Sequence, residues 1–482
     1  MIVPSLQFLL FAAVSSVVFN LSSAALWRKT ILLVVNLAFL TSFSRDAFAL
    51  APLMAFVGFG FVAQQVVKQG RRPRLLVVLV MLVLGSFFWL KRYAFIPSAS
   101  YLTMTYVVVG LSYLFFRVLH LIIDSYQGAI DQPVDLLEYL NYTLNFTSLT
   151  SGPIQRYQDY HRMQVEPPPL TVRVAGLAVE RIIIGYTKVA VISLALSLWQ
   201  HHTIDTLSAS QPFFDHVCSG LLIVGIYPFY LFANFAGYMD VVIGVALLFR
   251  LILPENFDRP FASLNFIEFW SRWHITLSQW LRSYVFNPLL MAWIRRDKMA
   301  RKKQYPGIVA LFVTFFLVGA WHGQSSEFLF FGVLQGAGVA VNRLYQVWMT
   351  HKLGVRLYQE LSDKRFYQAA MRGLTFTWFA FTLLWFWASW LQIASFVSTL
   401  GVAATLGSGL AIFVAATVIL ALFEAARAAI LKLTWMVDPG IREPIICSRY
   451  VRVAWSTNLF VITTAIVVIL DSPAPDIVYK SF

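Results

Sequence analysis

Charge is scarce in this 482-residue chain, with Asp, Glu, Lys and Arg together making up 12% of it. A soluble globular domain carries about 25%. That shortage, set beside 59% apolar residues, excludes a water-soluble globular fold. Cysteine is scarcer still: Cys218 and Cys447 cannot build a disulfide framework or a four-ligand metal site. The sequence contains no HExxH, CxxC, Walker-type glycine loop or GxSxG elbow. Zinc hydrolysis, P-loop ATPase chemistry and an embedded serine hydrolase therefore lack their motifs, and no metal site is expected. No internal repeat appears, which argues against a transporter made of duplicated halves. Residues 1–26 have neither a basic leading region nor a small-residue cleavage site, so they are expected to form a first span.

What the chain has in abundance is apolar length. An aromatic content of 16% and a mean hydropathy of +0.70 exclude a disordered chain. Apolar runs that cross a bilayer, or nearly do, lie at about 3–26, 30–44, 47–67, 75–93, 101–122, 174–200, 217–249, 306–322, 327–349, 373–390, 406–431 and 453–471. These predict an all-α polytopic membrane protein with about 11–12 transmembrane helices, a single membrane-embedded domain over 1–482. Alternating the spans with the Lys68–Arg74 segment inside places 30 of the 37 Lys and Arg on the cytoplasmic side. The net charge of +14 is thus read as membrane orientation, and no nucleic-acid partner is expected.

Two stretches are chemically informative. Residues 254–290 are too polar to span, yet Phe266, Trp270, Trp273, Leu277, Trp280 and Tyr284 recur at steps of three and four. Glu268, Arg272, Gln279 and Arg282 occupy the other face, and Asn265 followed by Glu268 marks a helix start. An amphipathic interfacial helix over about 262–290 is predicted, with His274 on the edge of its apolar stripe. The second stretch is LVGAWHG, where His322 ends an apolar run ahead of Gly323 and the polar residues 324–327. Ionisable groups at membrane depth are costly and tend to face functional cavities. Asp240, Arg156, Arg117 and the i, i+4 pair His120 and Asp124 are further polar residues in apolar surroundings.

NFAGYMDVVIG, the tryptophan-rich block and the later LVGAWHG together resemble the signature of the membrane-bound O-acyltransferases. The likeness is to the bacterial branch of alginate O-acetylation and teichoic acid D-alanyl transfer proteins. GLSYLFFRVLHLIIDSYQG and SGPIQRY are similar to that branch too, so the likeness covers about 105–345. The resemblance implies amphipathic or re-entrant helices around a central tunnel. It makes His322 the catalytic histidine and His274 the second family histidine, with Asp240 and Arg156 lining the tunnel; Trp321 and Trp273 are further candidates for the tunnel and for positioning substrate. Ser283 stands where this branch usually has an acid, and Gln335 with Gly336 where a later His-Gly is common. Either the Trp321 indole or the Ser325 hydroxyl would serve as oxyanion donor.

The implied reaction moves an acyl group, acetyl above all, from a cytoplasmic thioester to a hydroxyl of an extracytoplasmic cell-envelope polysaccharide or relay partner. D-alanyl transfer to teichoic acid is the alternative, and a transporter or flippase of a linked group is the rival of another class. No permanently bound cofactor is expected; the donor would be a coenzyme A thioester or a phosphopantetheine carrier protein. Arg295, Arg296, Arg301 and Lys302 are candidates for docking that anionic donor. Membrane lipid and separate polymer-handling proteins complete the expected partners, and the bacterial inner membrane is the expected location.

Overall fold

The computed structural model describes residues 3–44, 46–70, 72–93, 95–97, 100–296, 305–432 and 449–470. Every one of the twelve apolar runs becomes a helix, and no strand occurs among the described residues. Eight helices are long and apolar enough to cross a membrane. Leu6–Asn20, Ala25–Thr41, Leu111–Gln127 and Arg365–Thr382 are shorter or carry more polar residues. The chain is an all-α, multi-pass membrane protein. Its first helix shows why the sequence has no polar face there: Phe8, Ala12, Ser16 and Phe19 are buried, while Leu6, Leu10, Val14 and Val17 are exposed. A helix apolar on both sides keeps its outward stripe in lipid.

The chain divides into two compact units, Met1–Val189 with Phe235–Glu255, and Ala190–Asn234 with Asn256–Asp471. In the first, the helix Leu111–Gln127 is buried along nearly its whole length and is bounded by Gly110 and Gly128, both with φ near +75°. Its Arg117 is buried without a carboxylate. The guanidinium instead donates to the carbonyls of Thr143 (2.7 Å) and Ser148 (2.6 Å) and to the Ser148 hydroxyl (2.6 Å). The helices Val172–Thr187 and Tyr227–Leu248 approach closely where a Cβ on Gly237 would lie 2.7 Å from the Gly185 carbonyl.

In the second unit, Tyr305–His322 packs along Ser326–Ser362 through Gly319, Gly332 and Gly336. A Cβ on Gly336 would stand 2.6 Å from the Phe312 carbonyl oxygen, so these backbones touch because side chains are absent.

The amphipathic block differs from the single helix that its periodicity predicts. Asn265 does cap a helix, accepting from the Glu268 N–H at 2.9 Å, but that helix, Phe266–Arg272, ends after seven residues. Trp273 is extended, and His274 is left-handed at φ +44°. A new helix, Ile275–Leu281, follows, then a π turn, Arg282–Phe286, and the helix Asn287–Arg296. The cause of the break is non-local. Asn256 accepts from the Ile275 N–H through its carbonyl (3.0 Å) and from the Thr276 N–H (3.0 Å) and hydroxyl (2.7 Å) through its side chain. An N-terminal cap supplied from 20 residues upstream thereby starts the second helix.

Candidate active site

The second unit brings the two family-like histidines to one indole. His322 is the last residue of its helix and is buried; its ring centroid lies 4.7 Å from Trp321, 5.1 Å from Phe386 and 6.0 Å from Phe331. His274, also buried, faces the same Trp321 edge-on at 6.3 Å. The left-handed backbone at His274 is what separates it from the Trp270–Leu277 stripe. Burial drives the His274 imidazole down from 6.5 to about 3, so it is neutral at physiological pH. Gly323 is required immediately after His322, because the Phe328 ring occupies the place of its Cβ.

Trp273 lies in an aromatic pack, 5.1 Å from Phe257, 5.6 Å from Phe269 and 5.0 Å from Phe379. Its backbone makes an isolated bridge to Phe257. Ser325 is exposed at the start of Ser326–Ser362, whereas Trp321 is buried beside both histidines.

A cavity of about 720 Å³ lies against the same elements. Trp270, Ile275, Arg282, Phe315 and Arg343 are among its walls, and no carboxylate lines it among the described residues. The π turn places both Arg282 and Phe286 on it. Periodicity gave no sign of Arg282 and Arg343 acting together, since 61 residues separate them. Arg295 and Arg296 are exposed on the last turn of Asn287–Arg296. Arg301 and Lys302 lie outside the described residues.

Asp240 and Arg156 belong to the first unit. Asp240 is mostly buried and accepts from Arg181 (3.0 Å) and Lys188 (2.6 Å); Arg181 also forks onto Glu255. Arg156 is exposed at the N-cap of Tyr157–Val165. That short helix is held by the buried pair the sequence singled out. His120 Nε2 accepts from the Tyr157 N–H at 3.0 Å, its Nδ1 lies 3.3 Å from Asp124, and Asp124 accepts from Gln158 at 2.7 Å. Glu138, which sequence reading missed, sits beneath it and accepts from the Tyr157 hydroxyl (2.9 Å) and Lys29 (3.2 Å).

The sequence model for the membrane-bound O-acyltransferase family matches residues 75–353, which includes both histidines, Asp240, Arg156 and the cavity. The chain belongs to that family. A teichoic acid D-alanyltransferase of Bacillus subtilis is 28% identical over 244 residues, half of this chain and 60% of its own length. A probable alginate O-acetylase of Pseudomonas aeruginosa is 29% identical over 247 residues, half of this chain and 44% of its own. A peptidoglycan O-acetyltransferase of Helicobacter pylori is 37% identical over 119 residues, a quarter of this chain and 21% of its own. The chain thus matches less than two thirds of each of these relatives. As an O-acyltransferase family member, it presents its two histidines on a pair of elements whose local geometry is set by glycines and by Asn256.

Proposed function

We propose that the protein is an O-acyltransferase of the bacterial cytoplasmic membrane. It moves an acetyl-class acyl group from a cytoplasmic thioester to a hydroxyl of a cell-envelope polysaccharide or relay partner on the outer side. The observation that carries this reading is the meeting of buried His322 and His274 at Trp321 in a member of this family. His322 takes the acceptor hydroxyl's proton as the oxygen attacks the thioester carbonyl. The tetrahedral intermediate expels the thiolate, which recovers the proton from the imidazolium. A neutral imidazole can accept a proton and return it, which suits that exchange. The Trp321 indole, beside both rings, is the better placed of the two oxyanion donors.

The donor side is the cavity. Two arginines and mostly apolar walls match a slender thioester arm that ends in phosphate. The lining residues nearest His322 along its helix, Thr314 and Phe315, precede it by about two turns, roughly 10 Å of helix rise. Arg295 and Arg296 add attraction for a coenzyme A thioester or an acidic carrier, and separate envelope proteins handle the polymer. No resident cofactor takes part. Asp240 and Arg156 are assigned to lining a passage within their own unit, and Trp273 to positioning substrate. D-alanyl transfer is the second reading, favoured by the similarity to D-alanyltransferases at comparable identity.

The test is purified protein in nanodiscs, supplied with acetyl coenzyme A or a D-alanyl carrier protein and with alginate, peptidoglycan or teichoic acid. Thiol release that depends on acceptor, with label on the acceptor oxygen, is expected. Movement of an intact thioester or linked group across the bilayer without bond formation would instead establish the transporter.

A further inference from the structure

Gln335 is fully buried, and its amide is bonded at both ends. The Oε1 atom accepts from the Trp270 indole N–H at 3.3 Å, and Nε2 donates to the Thr382 hydroxyl at 2.8 Å. That hydroxyl donates in turn to the Phe379 carbonyl at 2.8 Å. The three side chains stand on three helices, Phe266–Arg272, Ser326–Ser362 and Arg365–Thr382. Gly336, next in sequence, lies in backbone contact range of Phe312. Trp270 forms part of the cavity wall, 5.0 Å from the Phe315 ring, and Phe331, one turn before Gln335, packs on His322.

A buried amide gives little net adhesion, because its desolvation offsets most of what its bonds return. What it does fix is orientation: one N–H bond selects a single rotation of the indole about its side-chain torsions, which apolar packing alone does not do. We infer that Gln335 is a positioning residue for the acyl donor, holding the Trp270 ring as a defined wall of the cavity. The inference rests on the acyltransferase reading and adds to it the group that sets donor affinity.

The full-length protein in nanodiscs is assayed with acetyl coenzyme A and the acceptor that the wild type modifies. Gln335→Leu is expected to raise KM for acetyl coenzyme A about tenfold, equivalent to about 1.4 kcal/mol, with kcat changed by less than about twofold. Trp270→Phe keeps an aromatic, though smaller, ring, removes the N–H and gives the same split. The double variant is no worse in donor KM than Gln335→Leu alone, because the Trp270–Gln335 bond is the one that both variants remove. Gln335→His recovers most of the affinity, since a neutral imidazole accepts at one nitrogen and donates at the other. An unchanged donor KM in both Gln335→Leu and Trp270→Phe, with only thermal stability lowered, overturns the inference and leaves a structural amide. Where Gln335→Leu does not fold, Trp270→Phe decides alone. A wild type that transfers no acyl group defeats the underlying reading, whereas an active wild type with indifferent variants defeats this inference only.

Discussion

Gly336→Ala tests whether the glycine crossing sets the geometry of His322. The added Cβ would meet the Phe312 carbonyl oxygen at 2.6 Å, where ordinary contact begins at 3.4 Å. The two backbones must therefore part by about 0.8 Å, and neither is a rotamer that can swing aside. Overpacking of this kind costs about 1–3 kcal/mol. Alanine also recovers about 0.8–1 kcal/mol of helix propensity, so the net stability change is small. Activity is the more sensitive readout, since a misplacement of 1 Å at a reacting group costs about 10²-fold. We expect Gly336→Ala to lower kcat/KM by about 10- to 100-fold, with unfolding in detergent shifted by at most about 2 kcal/mol. Gly409→Ala is the matched control, because nothing lies within 4 Å of its Cβ. It should show the propensity gain alone and leave the rate unchanged. Equal stability and equal rates for the two variants would refute the argument that backbone contact at this crossing holds the site.

Replacing His322 with Ala should abolish acceptor-dependent thiol release while leaving membrane abundance near wild type; normal transfer by that variant would remove it from the chemistry. His274→Ala should weaken transfer less completely and raise the donor concentration needed, and inactivity at saturating donor with binding intact would reverse the order of the two histidines. His274 also predicts an acid limb of stability. Its folded value, about 3, lies below the unfolded 6.5, so stability is fully present above pH 6.5 and is lost as pH falls toward 3. His274→Asn, which tolerates the left-handed backbone and does not titrate, should flatten the unfolding midpoint between pH 7 and 4.5; an unchanged slope would mean that another group is responsible. On a background lacking Cys218 and Cys447, a thiol at Thr206 should react with an impermeant reagent added outside cells and one at Asp363 should not, and the opposite pattern would invert the orientation. Reversing Arg295, Arg296, Arg301 and Lys302 to Glu should slow a carrier-protein donor more than acetyl coenzyme A and lose its effect at high salt; indifference of both donors would reduce the cluster to a topology signal.

The membrane class and the helices were legible because lipid imposes long apolar runs, and composition records them directly. The boundaries were less so. Helices such as Phe213–Leu248 match their runs, whereas Leu111–Gln127 begins ten residues later than hydropathy suggests, after Gly110 turns left-handed. The place of His322 at a helix end was legible because Gly323 follows it. The environment of His274 could not. Periodicity follows local spacing, and the break there is imposed by Asn256 from another segment. For the same reason Gln335 appeared in the sequence as a departure from pattern, while its partners Trp270 and Thr382 lie 65 and 47 residues away. Arg117 was visible as an unusual residue, but its use of carbonyls in place of an acid was not.

The cap that Asn256 places on residues 275 and 276 has a consequence for biogenesis. During synthesis the segment Phe266–Leu281 leaves the ribosome with a continuous amphipathic pattern, which favours one unbroken interfacial helix while the Asn256 loop is unformed. Docking of that loop converts the helix into two and turns residue 274 into its left-handed state. Asn256→Ala, which removes both side-chain bonds to Thr276, is therefore expected to re-favour the unbroken helix and to lower transfer with membrane abundance near wild type, and wild-type transfer by that variant would refute this consequence.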